Sequence, residues 1–343
     1  MPIKIFLGTG GVGKTSVAAA SALNCVRTGG KCLVLTIDPA RRLRTALGIE
    51  ETGPERRVPL DAAEGQGELW AAMLDVRTTL ERAVLRDAKP QEAELILKHP
   101  IFQLLITSIA GMQELMAIER IHQAMAEGFD SIVIDTAPSR HALEFLDKPE
   151  FFANLVSFPV VKLVGRTYQW WLSSGLARLS SKSFELYKRV EEILGAKLVH
   201  QVLDFFSIFR RIAESYGKRS ESILAVLRDP RHTSFTIVTT PLKAHRDAEY
   251  FWTELTNRKF AVGAMVVNRV WPDVEHRSGA ALEPEVRELI EWYQAVSGSH
   301  QKIWNDVSRK FSGRIPEMIL LPELPMDVDG LPALYQLAKG LER

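Results

Sequence analysis

Short apolar runs rich in β-branched residues punctuate this chain at 3–7, 33–37, 69–74, 131–134, 234–238, 262–267 and 318–321, and longer stretches with helical spacing separate them. Continuous runs mark strands buried on both faces, and their alternation with helices predicts an α/β fold: a mostly parallel sheet with helices on both sides. Each run is followed by Gly, Asp, Pro or Asn, residues suited to the loops at strand carboxyl ends, where sheets of this kind bind ligands. Segment 50–67, with Gly53-Pro54, Val58-Pro59 and Gly65-Gln66-Gly67, reads as an exposed connection. The alternation breaks from 150 to 228, where helical patterns such as Phe184, Tyr187, Val190 and Leu194 replace strands. The expected division is therefore a core at 1–149 and 229–343 and a helical insertion at 150–228. The insertion holds 12 of the chain's 28 aromatic residues, which suits either a packed helical core or an exposed apolar groove for a partner.

Composition narrows the class. At 343 residues and 46% hydrophobic content the chain can bury a substantial core, and 43 basic against 42 acidic residues leave no global field toward nucleic acid or anionic lipid. Nucleic acid is therefore not an expected partner. Cys25 and Cys32 lack the spacing of a zinc knuckle or redox motif, so they read as small buried hydrophobes in a reduced, cytoplasmic protein. The first apolar run leads directly into a glycine-rich loop, which leaves no room for an export leader. The most apolar stretch, 151–172, is interrupted by Pro159, Lys162, Gly165 and Arg166 and falls short of a membrane span. His141, His200, His232 and His245 are scattered and suggest no metal site. Arg210, Arg211, Lys218 and Arg219 read as a solvated helix face, with reversible contact to a membrane surface as the alternative.

The most specific chemistry lies at the end of the first strand, in Gly8-Thr9-Gly10-Gly11-Val12-Gly13-Lys14-Thr15, followed by a helical pattern to about Thr28. Glycines let backbone N–H groups turn around phosphate oxygens, the helix N-terminus adds positive potential, Lys14 neutralises β and γ oxygens, and Thr15 ligates Mg²⁺. Past the second strand, Asp38 stands where it can orient or deprotonate an attacking water. The fourth run ends in Asp135, the usual form of the acid that holds Mg²⁺ through its waters. Together, in this order, they point to a nucleotide-hydrolysing site that binds Mg·ATP.

These residues resemble the arsenite-pump and tail-anchored-protein-targeting ATPases, a branch of the deviant phosphate-loop class. The family loop Gly-Lys-Gly-Gly-Val-Gly-Lys-Thr resembles residues 8–15, its first switch Asp-Pro-Ala-His resembles Asp38-Pro39-Ala40-Arg41, and its second, Asp-Thr-Ala-Pro-Thr-Gly-His, resembles Asp135 to His141. Val266-Val267-Asn268-Arg269 resembles the segment whose Asn reads adenine, and Leu321-Pro322-Glu323-Leu324-Pro325 the closing segment beside the base. The resemblance implies a dimer, of two copies or with a paralogue, that closes on ATP and opens after hydrolysis, with the insertion serving a hydrophobic client or membrane-protein partner. It implies Asp38 and Lys14 as catalytic residues, Thr15, Asp38 and Asp135 around Mg²⁺, and Gly10, Gly11, Val12, Gly13, Lys14, Thr15, Ser16, Asn268, Arg269, Pro322 and Leu324 around the nucleotide.

The sequence also departs from that pattern. The family's extra loop lysine, which reaches the partner's phosphates, is Thr9 here, and a hydroxyl cannot supply its charge. Either hydrolysis is slow and the protein is a regulatory subunit beside a lysine-bearing paralogue, or another cation substitutes, with Arg140 (family Gly) and Arg41 (family His) as candidates. Solvated arginines on the switch surface are the simpler account of both. The family's Cys-x-x-Cys and arsenite-binding cysteines are missing, and none of the eight methionines falls in the insertion, where eukaryotic targeting factors carry them. A positional ATPase at a membrane is the remaining alternative, but the terminal helix near 331–341 carries only Lys339 as a basic residue before Arg343.

Overall fold

The protein is described by a computed structural model covering residues 1–38, 42–49, 55–60, 66–108, 112–138, 143, 146, 196–273 and 283–342. Arg41, Arg140, His141 and most of the helical insertion lie outside the described residues. Eight strands form one sheet: β1 (Ile3–Leu7), β2 (Lys31–Thr36), β3 (Glu55–Arg57), β4 (Glu68–Met73), β5 (Ser131–Asp135), β6 (Thr233–Thr239), β7 (Val262–Val270) and β8 (Glu317–Pro322). Their spatial order is β3-β4-β2-β5-β1-β6-β7-β8, and every pairing is parallel except β3 with β4. The α/β expectation holds, and all seven apolar runs are strands.

The eighth strand, β3, falls inside the segment read as an exposed connection. Its three residues, Glu55, Arg56 and Arg57, are charged and carry no apolar pattern; they pair antiparallel to β4 and close the sheet edge. A short charged edge resists pairing with a second chain. At the centre, all five residues of β5 are buried, because helices cover both faces there. Its register against its neighbours places Asp135 opposite both Phe6 and Thr36, at the carboxyl ends of three adjacent strands.

Helix α1 (Lys14–Val26) owes its position to small side chains. Val17, Ala18, Ala19, Ala20, Ala22 and Val26 are all fully buried, so the helix lies close against the sheet. It starts at Gly13, whose φ of 81° is a left-handed conformation suited to glycine. Cys25 of α1 and Cys32 of β2 come side by side despite their spacing. The Cys32 thiol hydrogen-bonds Cys25 and holds the Cys25 pKa down to about 6, while that same pairing and burial push Cys32 up. The remaining described helices are α2 (Arg42–Leu47), α3 (Val76–Asp87), α4 (Pro90–Lys98), α5 (Pro100–Ser108), α6 (Met112–Ala126), α7 (Ala196–Arg228), α8 (Ala244–Asn257), α9 (Pro284–Phe311) and α10 (Leu331–Gly340).

By contact the chain divides into two compact units, Met1–Leu74 with Ala124–Leu143 and Ala225–Arg343, and Asp75–Gln123 with Glu144–Leu224. The second draws on 75–123, which the sequence pattern assigned to the core. Among its described aromatics, Phe205 and Phe209 stack with ring centroids 5.0 Å apart, and the Tyr216 hydroxyl donates to the Leu115 carbonyl at 2.8 Å. All three are buried, as a packed core requires. Arg219 corrects the expected solvated face: it is 15% exposed and pairs with Asp87 at 2.8 Å and Glu119 at 3.2 Å, because the buried Glu119 and the half-buried Asp87 beside it require cations. Arg210, 63% exposed, does face solvent and pairs with Glu214. Among the described residues, no helix is long and apolar enough to cross a membrane.

Candidate functional site

The loop leaving β1 is held in shape from behind by close packing. A Cβ at Gly8 would stand 2.5 Å from the Val238 carbonyl oxygen of β6, so only glycine lets the loop lie this close to the sheet. At Gly13 a Cβ would meet the Asn268 amide at 2.3 Å, in addition to the positive φ. Asn268 is 6% exposed and its Nδ2 donates to the Val12 carbonyl at 2.9 Å. The Arg269 Nη1 reaches the Gly11 carbonyl at 3.5 Å. Both residues sit where the β7–β8 pairing shifts register between Val267 and Val270, and Arg269 has a φ of 62°. A bulge of this sort re-aims side chains, and a left-handed non-glycine residue beside a candidate site is strain of a kind concentrated at functional positions.

The charges converge on Asp135. It is fully buried, and its Oδ1 accepts from Lys14 Nζ at 2.5 Å while its Oδ2 accepts from Thr15 Oγ1 at 2.9 Å and Thr36 Oγ1 at 3.0 Å. Lys14 also donates to the Thr136 carbonyl and is 4% exposed. The first switch begins on the same anchor, with the Ile37 N–H on the Asp135 carbonyl at 2.8 Å and the Asp38 N–H on Thr36 Oγ1 at 3.2 Å. Asp38 itself is 6% exposed. Buried ion pairs contribute little net stability. A lysine–aspartate pair at the mouth of a glycine loop is better explained by what can replace its partners.

A cleft of about 500 Å³ opens in front of the loop, a size suited to a small ligand. Of the residues expected around a nucleotide, Gly11, Gly13, Lys14, Thr15, Ser16 and Arg269 line it. Gly10 and Val12 belong to the loop but do not line it, and Asn268 lies behind it. Pro322, exposed at the end of β8, and Leu324, half-buried beyond it, are not lining residues. Asp38 and Asp135 are not lining residues either; Asp135 meets the cleft only through Lys14 and Thr15. The sequence reading missed Arg42, Thr45, Asp327 and Asp329, which also line it. Arg42 follows the switch motif directly and the two aspartates follow the closing segment, so adjacency to those motifs was the available signal.

The donor set fits a nucleotide and its cation. Nothing lies within 4 Å of a Cβ built at Gly11, so the loop backbone is open to close approach by phosphate. Among the described residues no group of three His, Cys, Asp or Glu could cage a metal. Thr15 with Asp135 behind it matches instead the habit of Mg²⁺, which takes one or two protein oxygens and completes its shell with phosphate and water. The site is thus that of a phosphate-loop nucleotide-binding protein.

Comparison with known proteins narrows the class. The family described as "Anion-transporting ATPase" matches residues 1–343, and the chain belongs to that family of ATPases. It is 26% identical over 286 residues to "ATPase GET3C" of Arabidopsis thaliana, a match covering 78% of this chain and 66% of that protein. It is 24% identical over 358 residues to "Putative arsenical pump-driving ATPase 1" of Aquifex aeolicus, covering 100% of this chain and 76% of the relative. With "ATPase get3" of Schizosaccharomyces pombe the identity is 24% over 338 residues, covering 97% and 89%.

Proposed function

We propose that the protein is a Mg²⁺-dependent ATPase that couples nucleotide state to the binding or regulation of a hydrophobic or membrane-associated partner, as a dimer of two copies or with a paralogue, acting from the cytoplasm. The observation that carries this reading is the Lys14–Asp135–Thr15 cluster behind an open glycine loop. Phosphates entering the loop compete for the Lys14 ammonium, which turns from Asp135 toward β and γ oxygens. Thr15 and Asp135, with Asp38 nearby, are then the residues to hold Mg²⁺. The cation neutralises charge on the transferring phosphoryl. Asp38 orients the attacking water, Arg140 is a candidate for further positive charge, and Asn268, Arg269, Pro322 and Leu324 border the base. The insertion from 150 to 228 is the partner-binding or regulatory element.

One observation favours a second reading, a slow regulatory subunit: Thr9 Oγ1 donates to the buried Asp247 at 2.5 Å, so position 9 offers no cation and its hydroxyl is already engaged. Steady-state ATP turnover measured together with solution mass, with and without nucleotide and Mg²⁺, tests both readings. Turnover that stops on chelation and a mass that doubles with ATP are expected. A monomer under every condition contradicts the dimer, and a gain of tenfold or more in turnover from Thr9→Lys, on the order of one extra charged hydrogen bond, favours the regulatory subunit.

A further inference from the structure

The loop carries a second lysine that its own sequence does not reveal. Lys243 ends the turn after β6 and caps α8, and its Nζ donates to the Gly10 carbonyl at 2.6 Å, from 233 residues away. Asp247 follows one helical turn later, and its backbone N–H donates to the Lys243 carbonyl at 2.9 Å. An aspartate at i+4 would ordinarily attract the lysine. Here Asp247 Oδ2 accepts from the Thr9 hydroxyl and its Oδ1, with Arg246 Nε at 3.5 Å, makes no hydrogen bond, yet Lys243 turns to the loop instead. No carboxylate among the described residues pairs with Lys243, whose ammonium is held by a neutral carbonyl. Gly10 also marks the end of the loop nearest the second switch, since a Cβ there would have the Pro138 carbonyl as its nearest neighbour at 3.9 Å. That segment follows Asp135, on the side where the terminal phosphate of a nucleotide would lie.

We infer that Lys243 is a catalytic cation of this site, moving from the Gly10 carbonyl to the γ-phosphate of nucleotide bound in the same chain and supplying the charge that Thr9 does not. Four rotatable bonds give the ammonium the reach to leave a carbonyl for an adjacent phosphoryl oxygen, and a charged acceptor outcompetes a neutral one. The inference rests on the ATPase reading above and adds the residue that senses the third phosphate.

The test compares wild type, Lys243→Met and Lys243→Arg in ATP turnover, and in equilibrium affinity for ADP and for the slowly hydrolysed analogue ATPγS. For Lys243→Met, kcat falls by about 10²–10³-fold, as for loss of one charge-stabilising donor. Its ADP affinity stays at the wild-type value while the preference for ATPγS over ADP shrinks about tenfold. Lys243→Arg restores most of both. Unchanged kcat and an unchanged ATPγS preference in Lys243→Met overturn the inference, and so does an equal loss of affinity for both nucleotides with kcat retained, which marks a residue that only braces the loop. If wild-type turnover is too slow to measure, the affinity ratio alone decides. A wild type that binds neither nucleotide contradicts the ATPase reading itself, and with it this inference.

Discussion

Two places in the molecule bury a carboxylate among cations, and they are built differently. In the helical unit, Glu119 is 1% exposed and meets Arg86 at 2.9 Å and Arg219 at 3.2 Å, with the Gln123 amide donating at 3.2 Å. Asp87 joins the same two arginines at 3.0 Å and 2.8 Å, so two carboxylates face two guanidiniums. Every charge there is matched by a residue fixed in the same unit. At the sheet's carboxyl edge, Asp135 is met instead by Lys14, Thr15 and Thr36, and a phosphate with its cation can draw away the first two. Burial and charge are alike in the two places; exchangeability of the partners separates a site from a structural clamp.

The contrast is sharpest at Lys14. Lys14→Ala should abolish measurable turnover, a loss of at least about 10³-fold, because phosphate positioning and charge stabilisation are most of the catalysis in this chemistry. Its fold should weaken as well, by about 3–5 kcal/mol, since removing one partner of a buried ion pair leaves the Asp135 carboxylate uncompensated. Stopped turnover in a folded but less stable protein, read by phosphate release and calorimetry, is the expected pair of results. Asp38→Asn comes next, with kcat lower by about 10²–10⁴-fold and ATP affinity retained, the pattern of a residue that serves the attacking water. Equal losses in kcat and affinity would place Asp38 in binding instead.

The helical clamp should lose stability without losing nucleotide. Glu119→Ala leaves Arg86 and Arg219 short of a partner, and because both guanidiniums retain some solvent, the cost is about 2 kcal/mol in urea unfolding, less than for a wholly buried pair. ATP affinity should not change. The smallest effect lies at the cysteine pair of the core. With its pKa held down to about 6 by the Cys32 thiol, Cys25 should be the more readily ionised of the two, and its alkylation rate should rise as pH increases through about 6 and then level off. Cys32→Ala removes the donor, moves that rise to higher pH and slows alkylation at pH 7 severalfold. An unchanged pH profile would show that Cys32 does not stabilise the thiolate.

What the chain alone discloses follows the same division. Seven strands are legible because a strand covered on both faces must be a continuous apolar run, as Ile132, Val133 and Ile134 are. β3 is not, since an exposed edge of three charged residues is chosen by what it blocks rather than by what it buries. The phosphate loop is legible because its chemistry is local: eight consecutive residues make the cradle. Lys243 and Asp247 are hidden for the converse reason, since their turn reads only as a helix start and meets the loop after 233 and 238 residues of separation. The assignment of 75–123 to the helical unit is likewise silent, because the amphipathic patterns of α3 and α4 look alike whether they cover a sheet or other helices.

The central claim is that the Lys14–Asp135 pair is a nucleotide site at rest. Equilibrium binding of a fluorescent ATP analogue with Mg²⁺ to wild type and to Lys14→Ala tests it directly. The account predicts saturable binding by wild type and affinity about 10²-fold weaker in the variant, the worth of a strong charged contact to phosphate. Equal affinity in the two proteins would contradict it.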